Sequence, residues 1–447
     1  NDITLAASTG SASITAGSYG ATASTLVYTI SGATAGNTSL TIDPTYAVSG
    51  AGDITDPTGN EMANSETVSG SDGAAPILLS ATYKDTNGDG TVNRIDAVYS
   101  EDITSSTFES SDWTFPANPN GLSVGSGAFS GSTVQITVTG APANTTVLGT
   151  TTVKYTNQGS SNSITDGSNS SATSSVITLS DEAKPVIVSA VTGDNNSDGT
   201  VDRLTLTFSE SVEITDGGSD NDITLAASTG SASITAGSYA TTASTLVYTI
   251  SGATAGNTSL TIDPTYAVSG AGDITDPSNN EMSNGETVSG SDGAAPVLLS
   301  ATYKDTNGNG TVNRIDAVYS EVITSSTFES GDWTFPANPA SLSVGSGAFS
   351  GSTVQITVTG APANTTVLGT TTVKYTNQGT SNSITDGSNS SATSSVITVS
   401  DETVPILLSA TYKDTNGNGT VDRIDAVYSE VITSSTFESG DWTFPAN

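Results

Sequence analysis

Nearly the same twelve residues stand four times in this chain: DTNGDGTVNRID from Asp85, DNNSDGTVDRLT from Asp194, DTNGNGTVNRID from Asp305 and DTNGNGTVDRID from Asp414. The starts lie 109, 111 and 109 residues apart. That period is the size of a small domain, and it is too long for a β-solenoid, whose repeats run at roughly 20–30 residues. Each repeat must therefore close a core of its own, and the chain is expected to fold as a row of similar units.

The repetition has two levels. Residues 1–185 recur with few changes at 221–405, a period of 220, and each block divides into related halves, A and B. A units cover 75–183 and 295–403, and a B unit covers 184–294. Residues 1–74 form a partial B unit that lacks the first strands. Residues 404–447 copy the start of an A unit where the 220 period would supply B. Every unit opens with a proline after a short acidic link, as in SDGAAPILLSA and SDEAKPVIVSA. Two accounts of the partial ends are open: a window from a longer array, or a tail that completes the head of the next copy by strand exchange.

Within unit A, seven runs alternate in polarity as half-buried strands do: ILLSATY, VNRIDAVYS, DWTFPA, LSV, STVQITVTG, TTVKYTN and SSVITLS. Unit B gives the same count, from VIVSAV to GETVSGS. Clusters of Gly, Ser, Asn and Asp separate the runs, and no window sustains a helical period. Seven short strands in about 110 residues predict an all-β fold, tandem immunoglobulin-like β-sandwich repeats forming an elongated array. Parity places Ile95, Ala97 and Tyr99 on one face of a strand, and Leu204, Leu206 and Phe208 on one face of its counterpart. Trp113, Trp333 and Trp442, each in DWTFPAN, are expected to anchor the A cores.

Hydrophobic residues make up only 34% of the chain, and 45 acidic side chains face 10 basic ones, a net charge of −35. Such a balance can signal disorder, but the ordered alternation above argues for folded units with thin cores. No basic patch exists to attract nucleic acid or an anionic membrane. One Ca²⁺ in each of four loops would leave the charge near −27, so most of the acidity is a self-repelling, solvated surface. Cysteine and histidine are both absent. Small secreted domains then need a staple other than disulfides, and metal ions are a natural one. Without His, Cys or a nucleophile motif, and with carboxylates spread evenly through the repeats, the chain is not expected to be an enzyme. No signal peptide, membrane-spanning run or lipidation motif is visible in these residues.

The twelve-residue loop carries the chemistry. A hard cation such as Ca²⁺ takes six to eight oxygens, and D-x-[DN]-x-[DN]-G aims alternate side chains inward around a turn glycine. The candidate ligands are Asp85, Asn87, Asp89, Thr91 and Asn93 in the first loop, and Asp194, Asn196, Asp198, Thr200 and Asp202 in the second. The third loop has Asp305, Asn307, Asn309, Thr311 and Asn313, and the fourth Asp414, Asn416, Asn418, Thr420 and Asp422. The threonines would offer backbone carbonyls. At positions 3, 5 and 9 the copies exchange only Asp and Asn, which keeps an oxygen at the same reach. Position 12 is Asp96, Thr205, Asp316 or Asp425, never the bidentate Glu of a helix-flanked loop. The SE pair that follows, with Glu101, Glu210, Glu321 or Glu430, is a candidate to complete the shell. The competing account is a bare Asx–Gly hairpin turn without metal. The third and fourth loops, with Asn at position 5, should bind more weakly.

A second candidate lies at the links. Asp72, Asp181, Asp292 and Asp401 precede the prolines, and with Glu182, Glu402 and the next loop's oxygens they could hold an ion between units. The alternative is a plain acidic linker stiffened by proline. Sequons at Asn37, Asn144, Asn169, Asn257, Asn364 and Asn389 would allow glycosylation.

The order P-[IV]-[LI]-x-S-A…D-x-N-x-[DN]-G-x-V-[DN]-R-[IL]…[FY]-S-E, closing with ITDPTGN, resembles bacterial Ig-like repeats of surface-layer proteins and large repetitive adhesins. The closing turn is ITDPSNN at 274–280 and degrades to ITDGSNS in unit A, which leaves its role open. The resemblance implies a sandwich fold, an extracellular or cell-surface location and a spacer or assembly role. The expected function is a calcium-stiffened stalk, filament or surface layer that self-associates; the alternative is an adhesin that recognises glycans or another cell surface. Strands of about eight residues span roughly 27 Å, so four units end to end would make a rod well over 100 Å long.

Overall fold

A computed structural model of the chain describes residues 3–7, 13–18, 23–32, 42–46, 54–105, 107–142, 148–159, 164–214, 223–227, 232–238, 242–254, 262–266, 274–325, 327–362, 369–379, 384–433 and 436–444. The protein is all-β. In the first segment β1 (Ile3–Ala7) pairs with β4 (Ile42–Tyr46), and β2 (Ser13–Ser18) with β3 (Val27–Ser31), both antiparallel.

The first A unit holds β5 (Leu78–Lys84), β6 (Thr91–Tyr99), β7 (Trp113–Thr114), β8 (Ser123–Ser130), β9 (Thr133–Pro142), β10 (Thr152–Tyr155), β11 (Ile177–Thr178) and β12 (Ser180–Asp181). One sheet runs β12-β5-β6-β9-β8 and the other β11-β10-β7. The short LSV run of the sequence extends to an eight-residue strand, because SVGSGAFS folds back on β9 through a bulge between Val124 and Gly127. The B unit repeats the plan with β13 (Ile187–Gly193), β14 (Thr200–Ile214), β15 (Ile223–Ala227), β16 (Ser233–Ser238), β17 (Ala243–Thr254), β18 (Ile262–Tyr266), β19 (Ile274–Thr275) and β20 (Gly290–Ser291). Its larger sheet is β16-β17-β14-β13-β20, facing the pair β15-β18. The second A unit contains β21 (Leu298–Lys304), β22 (Thr311–Tyr319), β23 (Trp333–Thr334), β24 (Ser343–Ser350), β25 (Thr353–Pro362), β26 (Thr372–Tyr375) and β27 (Ile397–Asp401). The tail carries β28 (Leu407–Lys413) and β29 (Arg423–Tyr428).

The last strand of each A unit changes sheets. In β27, Ile397 and Thr398 pair antiparallel with β26, whereas Val399, Ser400 and Asp401 pair parallel with β21. This closes one side of the sandwich and delivers the chain to the linker beside the end of the unit's first strand. In the first A unit the same route sets Asp181 opposite Tyr83.

The expected parity holds. Tyr83 pairs with Ile95 and Ala81 with Ala97 across β5 and β6, and all four are buried. Leu204, Leu206 and Phe208 line the B core. Three core clusters fall within Leu78–Ala183, Ile187–Ala294 and Leu298–Val399. Trp113 and Trp333 are each 3% exposed, stacked on Phe108 and Phe328 and tilted against Tyr155 and Tyr375 at 5.4 Å. Trp442 departs from the expectation, at 44% exposed. Among the described residues no second sheet covers the β28-β29 ladder, and Tyr412 is 74% exposed where its counterpart Tyr83 is fully buried.

Candidate metal sites at the unit junctions

Each D-x-N-x-[DN]-G segment is a tight loop between the first two strands of its unit. In the first, Asp85 Oδ1 accepts N–H bonds from Asn87 (3.2 Å) and Gly88 (2.8 Å), and Oδ2 accepts from Gly90 (2.7 Å). Asp89 Oδ1 accepts from the Thr91 N–H at 2.8 Å, and the Asn93 amide donates to Asn87 Oδ1 at 2.7 Å. The first, third and fifth positions thus converge on one concavity. The same anchoring recurs through Asp194 with Gly199 (2.7 Å), Asp305 with Gly310 (2.6 Å) and Asp414 with Gly419 (2.7 Å). Position 9 closes each loop from its far side, with Asn93, Asp202, Asn313 and Asp422 accepting from the N–H of the residue after the first Asp. These bonds are those of an Asx–Gly turn. The side chains that would hold an ion are already gathered by backbone N–H groups.

The loops lie at the junctions. Gly90 has φ +81°, and a Cβ there would stand 2.8 Å from Ser209 Cβ and 3.3 Å from Val188 Cγ1, both in the following unit. Gly199 bears in the same way on Ser320 and Leu299, and Gly310 on Ser429 and Leu408. Only a residue without Cβ permits the left-handed backbone and the approach together.

Three carboxylates converge beside each of the first two contacts, at Asp181–Glu210–Asp276 and Asp292–Glu321–Asp386, and a third set of the same kind, Asp72–Glu101–Asp166, stands at the start of the first A unit; in each, one oxygen of every member lies within 4.8 Å of the others. Each draws on three places: the linker before the proline, the SE pair (just after the second strand in the A units, within β14 in the B unit), and the ITD turn near the end of the unit. The linker Asp spends Oδ1 on the N–H two residues on, as Asp181 does with Ala183 at 2.9 Å. The turn Asp spends Oδ1 on its own turn, as Asp276 does with the N–H groups of Ser278 (2.8 Å) and Asn280 (2.7 Å). Asn280 then ties turn to linker, donating to Asp276 Oδ2 at 2.8 Å and to the Asp181 carbonyl at 3.3 Å. The glutamates are almost fully buried, at 3%, 1% and 2% exposure for Glu101, Glu210 and Glu321.

Burial, reinforced by Asp166 and Asp72, pushes the Glu101 carboxyl up to about 7. Burial together with Asp292, Asp386 and Asp194 of the preceding loop pushes Glu321 up to about 8. Asp166 is held below the ordinary range, since bonds from Asn169 and Ser168 outweigh its burial. Like charges in a dry site resist ionising together, so Glu101 and Glu321 favour the protonated form unless a cation takes the proton's place, and each of the three clusters can hold a metal ion.

Several expectations need correcting. Glu101 does not complete its own loop, because the nine residues of β6 set it about 30 Å away. The carboxylate that nears a loop belongs to the next unit, as Glu321 feels the charge of Asp194 in the preceding loop. Nor does Asp181 meet the next loop, since β13 lies between; it meets the end of β5. Glu182 and Glu402 point elsewhere, to Lys84 (2.7 Å) and Lys304 (3.0 Å). At position 12, Asp96 and Asp316 pair with Arg94 (2.7 Å) and Arg314 (2.6 Å), and Asp425 pairs with Arg423 and Lys413. Asp401 and Glu430 stand near Tyr303, as Asp181 and Glu210 stand near Tyr83. Asp166, Asp276 and Asp386 were not singled out from sequence. Their signal was present: as ITDPSNN degrades to ITDGSNS, the Asp persists. Asn169 and Asn389 use their amides on the linker carbonyls of Asp72 and Asp292, which a glycan there would disrupt. Asn37, Asn144, Asn257 and Asn364 lie outside the described residues.

No family model and no curated protein matches this chain. Solved structures that match include surface layer protein SbsC, domains 1-6, at 13% identity over 78% of this chain and 58% of that one, TM-score 0.20. The N-terminal eight Ig domains of Down Syndrome Cell Adhesion Molecule match at 12% identity over 76% and 44%, TM-score 0.20. The S-layer protein rSbsC(31-844) matches at 13% over 76% and 56%, TM-score 0.19. The chain spans less than two thirds of each of them. Likeness of this degree carries no weight for fold or role, which rest on the strand order and the junction geometry.

Proposed function

We propose that the chain is an extracellular structural repeat protein, a segment of a self-associating stalk, filament or surface layer, in which Ca²⁺ at the D-x-N-x-[DN]-G loops stiffens the passage from one unit to the next. One observation supports this most directly: the glycine that closes each of the first three loops, Gly90, Gly199 and Gly310, is the residue in contact with the following unit, so whatever fixes the loop also fixes the junction. All-oxygen ligands on short loops suit Ca²⁺ better than the small, rigid Mg²⁺ shell. The acidic surface suits an exposed, soluble array, and the resemblance to surface-layer and adhesin repeats agrees with that setting. Trp113 and Trp333, the aromatic platforms a glycan-binding account would use, are taken up in the cores. The test is small-angle scattering and thermal melting of the full chain in Ca²⁺ and in EDTA. Chelation is expected to lower the melting temperature and shorten the largest particle dimension. If neither changes, calcium stiffening is wrong.

A further inference from the structure

The junction carboxylates come from other segments than the loops, although Asp194 of the second loop acts on Glu321 across the junction, and three buried polar atoms among and beside them have no hydrogen-bond partner. Glu101 Oε1 and Glu321 Oε1 are buried and have no hydrogen-bond partner. The Tyr83 hydroxyl is also fully buried and makes no hydrogen bond of normal geometry, although it faces Asp181 from the end of the preceding unit. Among the described residues no lysine or arginine ion-pairs with Asp72, Glu101, Asp166, Asp292, Glu321 or Asp386; the basic groups there serve Asp96, Glu182, Asp316, Glu402 and Asp425. A buried charge without a partner is costly. Three carboxylates in one place ask for a hard cation of charge two or more.

The spacing fits one. Two oxygens on the same Ca²⁺ at roughly 2.4 Å can be at most about 4.8 Å apart, which is the span within which all three oxygens of each cluster lie. The oxygens also come from both sides of the junction, because the linker Asp belongs to the passage between units while the Glu and the turn Asp belong to the unit that follows.

We infer that each of the three clusters is a second class of divalent-cation site, distinct from the D-x-N-x-[DN]-G loops, which clamps the linker onto the unit that follows; at Asp181–Glu210–Asp276 the clamp extends to the preceding unit through Tyr83. Tyr83 is a positioning residue that orients the linker carboxylate rather than a charged ligand. The arrangement is not the same at every junction. Where an A unit precedes, the position holds Tyr83; where the B unit precedes, it holds Thr192, whose hydroxyl donates instead to the Ser291 carbonyl at 3.3 Å. Junctions with and without the tyrosine therefore alternate along the array.

The test is isothermal titration of the full chain with CaCl₂, comparing wild type, the double variant Glu101→Gln plus Glu321→Gln, and the loop double variant Asp85→Asn plus Asp305→Asn. The glutamine variant is expected to lose two equivalents of Ca²⁺. In EDTA it should melt above wild type, because a neutral amide replaces a buried carboxylate among like charges. A merely structural role for these glutamates would not raise the EDTA melting temperature while removing Ca²⁺. Unchanged stoichiometry in the glutamine variant, with equivalents lost only in the loop variant, would overturn this inference and leave the loop reading standing. Loss in the glutamine variant alone would do the reverse, and no Ca²⁺ uptake by wild type would remove both. Tyr83→Phe should weaken one site about tenfold without changing the number bound, and it should reduce tyrosine-sensitised Tb³⁺ emission. An unchanged affinity would strike Tyr83 from the site.

Discussion

Gly90 and Gly88 sit two residues apart in one loop, both left-handed, with φ of +81° and +71°. A Cβ at Gly88 meets nothing within 4 Å, whereas one at Gly90 meets Ser209 of the next unit. Alanine at either position pays a conformational penalty of about 1–2 kcal/mol. Only Gly90→Ala adds an overpacking cost of about 1–3 kcal/mol across the junction, so denaturant melts should separate the two variants; equal losses would mean that the units do not touch there. The buried glutamates give a second prediction at this scale. Glu101 and Glu321 have folded values of about 7 and 8 against an ordinary 4.5, so the folded chain binds more protons than the unfolded one between those limits. Their contribution is therefore favourable at acid pH and is lost as pH rises through the folded values. In EDTA the melting temperature should fall between about pH 5 and pH 8, and saturating Ca²⁺ should flatten that slope by replacing the proton. A melting temperature that rises over this range in EDTA would contradict the burial of these groups.

Among the elements, the A sandwich depends on the short strand that carries Trp113. That strand makes only two ladder pairs, with Lys154 and Tyr155, so side-chain burial rather than hydrogen bonding holds it in place. Trp113→Ala or Trp333→Ala is expected to cost about 3–5 kcal/mol, while Trp442→Ala, at an exposed position, should stay within about 0.5 kcal/mol. Calorimetry of the full chain would show the first two as a downshift of an A-unit transition and the third as no shift. Most of the strands could be read from the sequence, since alternation and turn residues act locally. Two features could not. SVGSGAFS is small and polar and becomes a strand only because β9 offers it a ladder, and Gly127 is needed there because a Cβ would meet the Phe108 ring at 2.2 Å. The exchange of partners within β27 depends on where two sheets approach, which no run of seven residues encodes.

At the scale of the whole molecule, the net charge of −35 offers a rival explanation for any effect of calcium, namely diffuse screening. The two separate cleanly. Raising NaCl to about 1 M shortens the screening length to about 3 Å and relieves repulsion between exposed carboxylates without supplying a divalent ion. NaCl is expected to leave most of the EDTA-induced loss of melting temperature uncorrected, whereas millimolar Ca²⁺ restores it. Full recovery in NaCl would assign the effect to screening and not to sites.

Repetition, strand parity and the oxygen-rich loops are properties of neighbouring residues, and the sequence alone determined them: the period, the all-β class, the inward faces of the strands and the four glycine-closed turns. It also showed acid at every linker. It did not show what that acid meets. Glu101 is nearer in sequence to its own loop than to Asp166, yet an extended strand moves it away from the loop at about 3.4 Å per residue and returns it to the linker end of its unit. There the ITD turn arrives by way of the second sheet. Only the tertiary structure brings linker, strand end and turn together, because a cluster assembled from three distant segments exists only once the sandwich has closed.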